Sequence, residues 1–442
     1  MEITEKAQKM LEKYPLCNHC LGRQFALLGY GLDNQVRGET LKLLLTMKGH
    51  QLALTGEKKG VELLKNLATN ASSDMATQIL KKLKKRTRKR QECYLCQNQF
   101  ESINKLVDRS VKKLEGYEYA TFLVGVELPT EIEEREDEFK AEFEVKHGEN
   151  MRNHFSREIG KRISEATQKP VDYKRPNMVI LINPFARRVR LKANPLYIAG
   201  RYRKLARGIP QSKWICTECE GKGCQKCNWT GKIYKESVEE IIAEPTLRKT
   251  AGEEASFHAA GREDVDARML GRGRPFVIEV KEPKKRFIDL HDLAETINKQ
   301  AQGKVKVLNL CFSDRDTVRK LKKTEASEKV YRTVVEFERS ISDAELETLE
   351  KTLTNTVVHQ QTPLRVLHRR VDRVREKYIY KAKVKRLTPN RVEMRVHCQG
   401  GLYIKELITG DEGRTNPNVT NILSAKAEPL ELDVLNVIMR EG

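Results

Sequence analysis

Asp264 and Asp266 stand in the run Gly261-Arg262-Glu263-Asp264-Val265-Asp266-Ala267-Arg268-Met269-Leu270-Gly271-Arg272-Gly273-Arg274, which sets carboxylates among arginines. A cation beside a carboxylate favours its charged form, and arginine forks are the side chains that grip phosphate. A charged carboxylate in a phosphate-gripping loop points to chemistry on a nucleotide. The competing reading is a surface loop whose acids only neutralise its arginines, because ion pairs on loops are common and weak. Gly261, Gly271 and Gly273 mark loop backbone on both sides. Beyond them Phe276-Val277-Ile278-Glu279-Val280 reads as a buried strand, so the acids sit on a loop that feeds a strand.

Eight of the ten cysteines fall in four Cys-x-x-Cys pairs. In a reducing compartment such pairs mean metal before disulfide. Zinc takes four soft ligands in a tetrahedron, and each pair supplies two of them from one tight knuckle. Cys17, Cys20, Cys93 and Cys96 can close one structural zinc site that pins the ends of an inserted helical segment, with His19 a bystander. The alternative is four reduced buried thiols. Cys216, Cys219, Cys224 and Cys227 read as a compact zinc loop at a domain boundary, with Gly221 and Gly223 giving the turn its freedom. There the alternatives are one pair used with outside ligands, or no metal. Cys311 and Cys398 are single, lie in apolar segments and read as core.

A chain of 442 residues is too long for one hydrophobic core and predicts two to four domains. Its net charge of +21 favours a polyanionic partner. The charged start Met1-Glu2-Ile3-Thr4-Glu5-Lys6 has no apolar core, and no run approaches bilayer length, so a soluble intracellular protein is expected.

Residues 1–70 read as helical, with Thr4 a candidate cap and a second helix near Thr40 to Met47. Lys81 to Arg90 is almost purely basic, which favours contact with a phosphate backbone over a merely solvated face. Tyr119 to Leu128 reads as a strand, Glu131 to Glu144 as an exposed acidic patch, and Phe155, Ile159, Ile163 and Ala166 recur at helical spacing. Met178 to Ile182 and Arg187 to Lys192 read as strands. In Pro195 to Lys204, tyrosines interleaved with arginines suit unpaired RNA. Further on, Asp289 to Lys299 reads as helix, and Val305 to Leu310 and Glu328 to Phe337 as strands. A helix follows near Asp343 to Leu353, then two alternating strands that meet at Thr388-Pro389-Asn390 as a hairpin. Gly400 to Leu407 turns from strand to helix, and Leu430 to Met439 is a last strand.

These stretches resemble the pseudouridine synthases. Arg262-Glu263-Asp264 is similar to their Arg-x-Asp motif, Lys329-Val330-Tyr331 to their Lys-x-Tyr motif, and Gly401-Leu402-Tyr403-Ile404-Lys405 to their third, although Leu402 stands where threonine is usual. The run from Gly261 to Gly271 and Gly410-Asp411-Glu412-Gly413-Arg414-Thr415 resemble more closely the archaeal and eukaryotic tRNA pseudouridine synthases of the "ten" type. That family carries a THUMP-containing accessory domain with a four-cysteine zinc site, matched by Cys17, Cys20, Cys93 and Cys96. The cluster from Cys216 to Cys227 is similar to the extra cysteine loop of the archaeal members.

The resemblance implies an isomerase that converts uridine to pseudouridine at position 54, position 55 or both in the tRNA T loop, with no catalytic cofactor. It implies catalytic roles for Asp264 as nucleophile or base, Tyr331 stacked on the flipped uracil and assisting loss of the C5 proton, and Lys405 as the cation beside the aspartate. Asp266 is the second candidate for the nucleophile. Arg262, Tyr331, Tyr403, Arg268 and Arg414 would hold substrate. The basic run and Tyr197 to Arg207 would grip the acceptor arm of a tRNA bound by a cytoplasmic, monomeric enzyme with one or two structural zinc ions and no membrane partner.

The expected fold class is α+β. It comprises a helical zinc-pinned segment over 1–100, a THUMP-type α/β RNA-binding module over 101–210, a cysteine loop over 211–232, and a catalytic domain over 233–442. The last is expected to hold a mixed, mostly antiparallel sheet with flanking helices. A non-catalytic zinc-dependent RNA-binding or processing factor would account for the charge and the cysteines, but not for the three motifs in order. A THUMP-linked methyltransferase or thiouridine synthase would need a glycine-rich cofactor turn opening a helix, and no helix is expected after Gly271 and Gly273.

Overall fold

The computed structural model describes residues 2–322 and 327–438. The chain divides into two compact units, Met1–Asn194 and Pro195–Gly442.

The first unit opens with α1 (Ile3–Lys13), α2 (Asn18–Gly22), α3 (Asn34–Leu54), α4 (Lys58–Asn70) and α5 (Asp74–Lys82). α1 buries Ala7, Met10 and Leu11 along one stripe. It begins one residue ahead of Thr4, with Glu2 in the cap position and no side-chain cap, so Thr4 lies inside the first turn. α2 packs so tightly on α3 that a Cβ at Gly22 would stand 1.8 Å from the Asn34 carbonyl oxygen, an approach open to glycine alone. The run after α5 is exposed from Lys84 to Arg90.

Then come α6 (Ile103–Leu114), β1 (Phe122–Val126), α7 (Thr130–Glu142), α8 (Met151–Thr167), β2 (Met178–Asn183) and β3 (Arg188–Ala193). β1 pairs parallel with β2, and β2 antiparallel with β3. The expected exposed acidic patch is helix α7, which buries Ile132, Glu136 and Phe139. Glu136 is buried because its Oε1 meets the equally buried Arg23 Nη1 at 2.9 Å, the pairing that lets a charge leave water.

The second unit is built on a sheet of ten strands. Its elements are β4 (Leu196–Lys204), α9 (Val238–Thr250), β5 (Glu254–Ala259), β6 (Arg268–Lys281), α10 (Leu290–Gln300), β7 (Val305–Ser313) and α11 (Arg315–Lys322). They continue with β8 (Glu328–Phe337), α12 (Asp343–Leu353), β9 (Thr356–Gln361), β10 (Val374–Thr388), β11 (Arg391–Gln399), α13 (Ile404–Thr409), β12 (Thr415–Asn416), α14 (Val419–Leu423) and β13 (Ala427–Ile438). The sheet order is β12-β9-β10-β11-β8-β13-β6-β4-β7, with β5 also on β6. Only the β13–β6 pairing is parallel, so the sheet is mixed and mostly antiparallel. Met439, the expected end of the last strand, lies outside the described residues.

Three expectations are corrected here. β4 does not belong to an RNA-binding module over 101–210: it pairs with β6 and β7, and its Tyr202 is fully buried. The strand after the acidic loop begins at Arg268 rather than Phe276, and Gly271 and Gly273 lie inside it. Gly271 takes φ +54°, and a Cβ there would fall 1.9 Å from the Leu435 carbonyl oxygen of β13. Cys398 is buried, but Cys311 is exposed on β7. Among the described residues no helix is long and apolar enough to cross a membrane.

Candidate active site

The acidic loop is the connection between β5 and β6, and buried charges hold its backbone. Lys204, fully buried on β4, donates from Nζ to the carbonyl oxygens of Ile209 at 2.8 Å, Asp264 at 3.0 Å and Val265 at 3.1 Å. Arg274 Nη1 donates to the Ala260 carbonyl at 2.6 Å, and its Nε to Glu263 Oε2 at 2.8 Å. The Tyr202 hydroxyl donates to the Glu263 carboxylate at 3.0 Å, and Gln211 Nε2 bridges that hydroxyl and the Gly261 carbonyl. The middle residue of Arg-x-Asp is therefore a buried structural acid.

The loop presents Asp264 to a cleft of about 450 Å³ that also takes its walls from Tyr331, Lys329, Tyr403 and Lys405. Asp264 Oδ2 lies 3.2 Å from Arg365 Nη2 and 3.7 Å from Lys405 Nζ. Lys405 makes its shorter contact, 2.7 Å, with Asp266 Oδ2. Partial burial works against charge on Asp266, but this ammonium prevails and holds its carboxyl below the usual range. Arg365 Nε is fixed by Glu406 Oε1 at 2.6 Å.

Tyr331, on β8, is 9% exposed. Burial pushes its phenol up, which suits an aromatic face and a hydroxyl donor rather than a base. Lys329 lies two residues earlier and so on the same face of the strand. Burial and then the neighbouring Arg274 bring its ammonium down to about 8. Nine arginines and lysines line the cleft against two carboxylates, and one of those, Glu263, is already neutralised by Arg274.

Two expected substrate residues are engaged elsewhere. Arg268 forms a two-point pair with buried Asp433 at 2.9 and 2.8 Å. Arg414 donates to the Thr362 carbonyl at 2.9 Å and to Asp372 Oδ1 at 2.5 Å. Neither lines the cleft. Tyr403 does, and its hydroxyl accepts from Arg370 Nη1 at 2.9 Å. Arg262 also lines it and makes no hydrogen bond or ion pair among the described residues, only a guanidinium contact 5.8 Å from the Trp214 ring centre.

The family model described as "Pus10, C-terminal" matches residues 197–438, and that described as "Pus10 THUMP domain, archaeal" matches 106–183. The chain belongs to the Pus10 family. Among its relatives is the "tRNA pseudouridine synthase Pus10" of Methanocaldococcus jannaschii, 44% identical over 437 residues that cover 97% of this chain and 93% of that one. The Thermofilum pendens protein of the same name is 40% identical over 429 residues, covering 97% and 94%. A solved "Cbf5-Nop10-Gar1 Complex" chain, 13% identical, covers 55% of this chain and 50% of its own with a TM-score of 0.31, a likeness too weak to bear on fold or function.

In this Pus10 chain both cysteine groups suit a tetrahedral metal. Within each group of four the sulfurs lie within 4.8 Å of one another. Sulfur separations of 3.6 Å for Cys17–Cys96 and 3.8 Å for Cys216–Cys224 and Cys219–Cys227 approach the edge of about 3.8 Å that Zn–S bonds of about 2.3 Å generate. Backbone N–H groups of Gly223, Cys224 and Gly231 donate to sulfurs of the second group at 3.2 Å, the support that steadies thiolate ligands. His19 offers no ligand and stacks on Phe100 at 4.5 Å.

Sequence reasoning missed Arg365 and the arginines at 370, 373 and 375, all on the cleft wall, and named Lys329, also on that wall, only as a member of the Lys-x-Tyr motif with no role of its own. The signal was present in the six arginines and lysines of the run that starts at Arg365 and ends at Lys377.

Proposed function

We propose that this chain is a tRNA pseudouridine synthase in which Asp264 acts on the target nucleotide. In that isomerisation the N1–C1′ bond breaks, the freed base turns, and C5 bonds to C1′. C5 loses a proton and N1 gains one, so no oxidant, reductant or catalytic cofactor enters the balance. The observation that carries the assignment is the carboxylate of Asp264, one-third exposed, at the mouth of a cation-lined cleft beside Tyr331. Its main chain is pinned from behind by Lys204, so the group is preorganised rather than mobile. Asp264 acts as nucleophile or base at the flipped nucleotide, Tyr331 stacks on the uracil, and Arg262 holds the extruded nucleotide. Arg365 joins Lys405 as a cation on the aspartate.

The target uridines are positions 54 and 55 of the T loop. The exposed run from Lys84 to Arg90 contacts backbone phosphates of the acceptor arm without reading sequence. Both cysteine groups hold structural zinc, and the enzyme works as a cytoplasmic monomer. The test is unmodified tRNA transcript treated with enzyme and mapped by carbodiimide labelling and primer extension. A T-loop stop with the native chain and none with Asp264→Ala is expected. A stop that persists in Asp264→Ala removes Asp264 from the chemistry, and stops elsewhere in the tRNA remove the T-loop assignment.

A further inference from the structure

A second, smaller cavity of about 190 Å³ adjoins the main cleft, and its lining includes Trp214, Pro210 and Gln211 together with Arg262, Asp264 and Lys405. It shares Arg262, Glu263, Asp264, Arg365 and Lys405 with the uridine cleft. Whatever fills it must therefore adjoin the occupant of the cleft, and in an RNA strand that neighbour is the next nucleotide.

The lining suits a base. Trp214 is half-buried, set edge-on against Tyr234 with ring centres 5.4 Å apart, and it faces the guanidinium of Arg262. Indole faces and guanidinium planes are the surfaces on which unpaired bases stack. The backbone around Trp214 is tied to the cysteine knuckle. The Ile233 N–H donates to the Trp214 carbonyl at 2.9 Å, Ile215 bridges to Lys232, and the Cys216 N–H donates to the Gly231 carbonyl at 2.9 Å. Trp214 thus sits at the neck of a hairpin whose far end is gathered by Cys216, Cys219, Cys224 and Cys227.

We propose that Trp214 and Arg262 form a second nucleobase site, which receives the nucleotide adjoining the target uridine, and that the cysteine knuckle holds Trp214 in place for it. The proposal rests on reading the Asp264 cleft as the uridine site. It gives a role to the second cysteine group, which lies far in sequence from the first and within the catalytic unit.

The chain has two tryptophans, and Trp229 is 77% exposed, so Trp229→Phe leaves Trp214 as the one indole reporter. In a Trp229→Phe/Asp264→Asn chain, which is expected to bind without turnover, unmodified tRNA should quench Trp214 fluorescence with the same Kd that filter binding gives. A transcript abasic at the nucleotide adjoining the target should bind roughly tenfold more weakly and leave Trp214 unquenched. Binding by filter with unmoved fluorescence would overturn the stacking site while leaving the uridine cleft intact. No binding to either transcript would overturn the cleft reading and this one with it. With Cys219→Ala added, the emission of the free protein should shift and the quench should vanish. Unchanged emission and quench would overturn the role given to the knuckle. In the native background Trp214→Ala should raise KM about tenfold with kcat little changed, and Trp214→Phe should restore it.

Discussion

Arg365 stands closer to Asp264 than Lys405 does, 3.2 Å against 3.7 Å from the same carboxylate oxygen, although Lys405 is the residue that the third motif supplies. Lys405 spends its 2.7 Å contact on Asp266. Arg365 is also the better oriented of the two, because Glu406 fixes its Nε while Nη1 and Nη2 face Asp264. Arg365→Met should therefore lower single-turnover rates by about a hundredfold, in the range seen when one preorganised charge partner is removed, with tRNA affinity changed far less. Lys405→Met should cost less than that. Arg365→Lys should recover only part, because an ammonium keeps the charge and loses the fork. A larger loss in Lys405→Met would return the principal role to the motif lysine.

That inversion shows what the sequence carried and what it did not. Asp264, Tyr331 and Lys405 were legible because each sits in a short motif, and all three meet on one cleft. The hairpin of β10 and β11 was legible because period-two alternation flanks a Pro-Asn turn. Arg365 lies 101 residues from Asp264, in a segment with no periodicity to mark it. Arg268 read as a substrate contact because its neighbours are motif residues, but its partner Asp433 is 165 positions away. β4 read as RNA-binding because alternation reveals a strand and not which sheet receives it. Glu263 drew no role of its own from the sequence because nothing local announces that Arg274 and Tyr202 close over it.

The Glu263–Arg274 pair is buried on both sides, with side chains 0% and 1% exposed. Removing one partner leaves the other charge without compensation, a loss of about 3–5 kcal/mol. Glu263→Gln should accordingly lower the denaturation midpoint of the catalytic unit and weaken activity through loss of the loop's anchor. Glu263→Gln/Arg274→Met should be less destabilised than the sum of the single variants, since neither charge is then stranded. Strict additivity in urea melts would show that the pair does not couple.

Metal content separates the two cysteine groups. Purified chain should contain two zinc ions by elemental analysis, and Cys93→Ala and Cys219→Ala should each contain one. The first group joins α2 to the distant Cys93 turn, where the Tyr94 N–H donates to the Pro15 carbonyl at 2.7 Å. Its loss should unfold the helical part of the first unit, read as new protease-sensitive sites before residue 100. Cys219→Ala should leave that digestion pattern unchanged. Two zinc ions in either variant would contradict the ligand assignment.

Lys329 supplies a pH signature. Its side-chain amine makes no hydrogen bond or ion pair among the described residues, and a Cβ on Gly261 of the acidic loop would come within 3.3 Å of its Nζ. The amine therefore passes directly over that loop. Burial, reinforced by Arg274, lowers it from the ordinary lysine value to about 8. Below that pH it is an ammonium, and above it a neutral amine. A cation on the wall of the cleft is then lost as pH rises, so kcat/KM, which reports the free enzyme, should fall above pH 8. RNA phosphates would favour the charged form, so kcat should hold to higher pH than kcat/KM. Lys329→Met should erase this alkaline limb and lower the neutral-pH value about tenfold. Lys329→Arg should keep the neutral-pH value and move the limb beyond the measured range, because a guanidinium stays charged. A profile whose fall above pH 8 survives in Lys329→Met would assign that limb to another group and leave Lys329 as a structural lysine of β8.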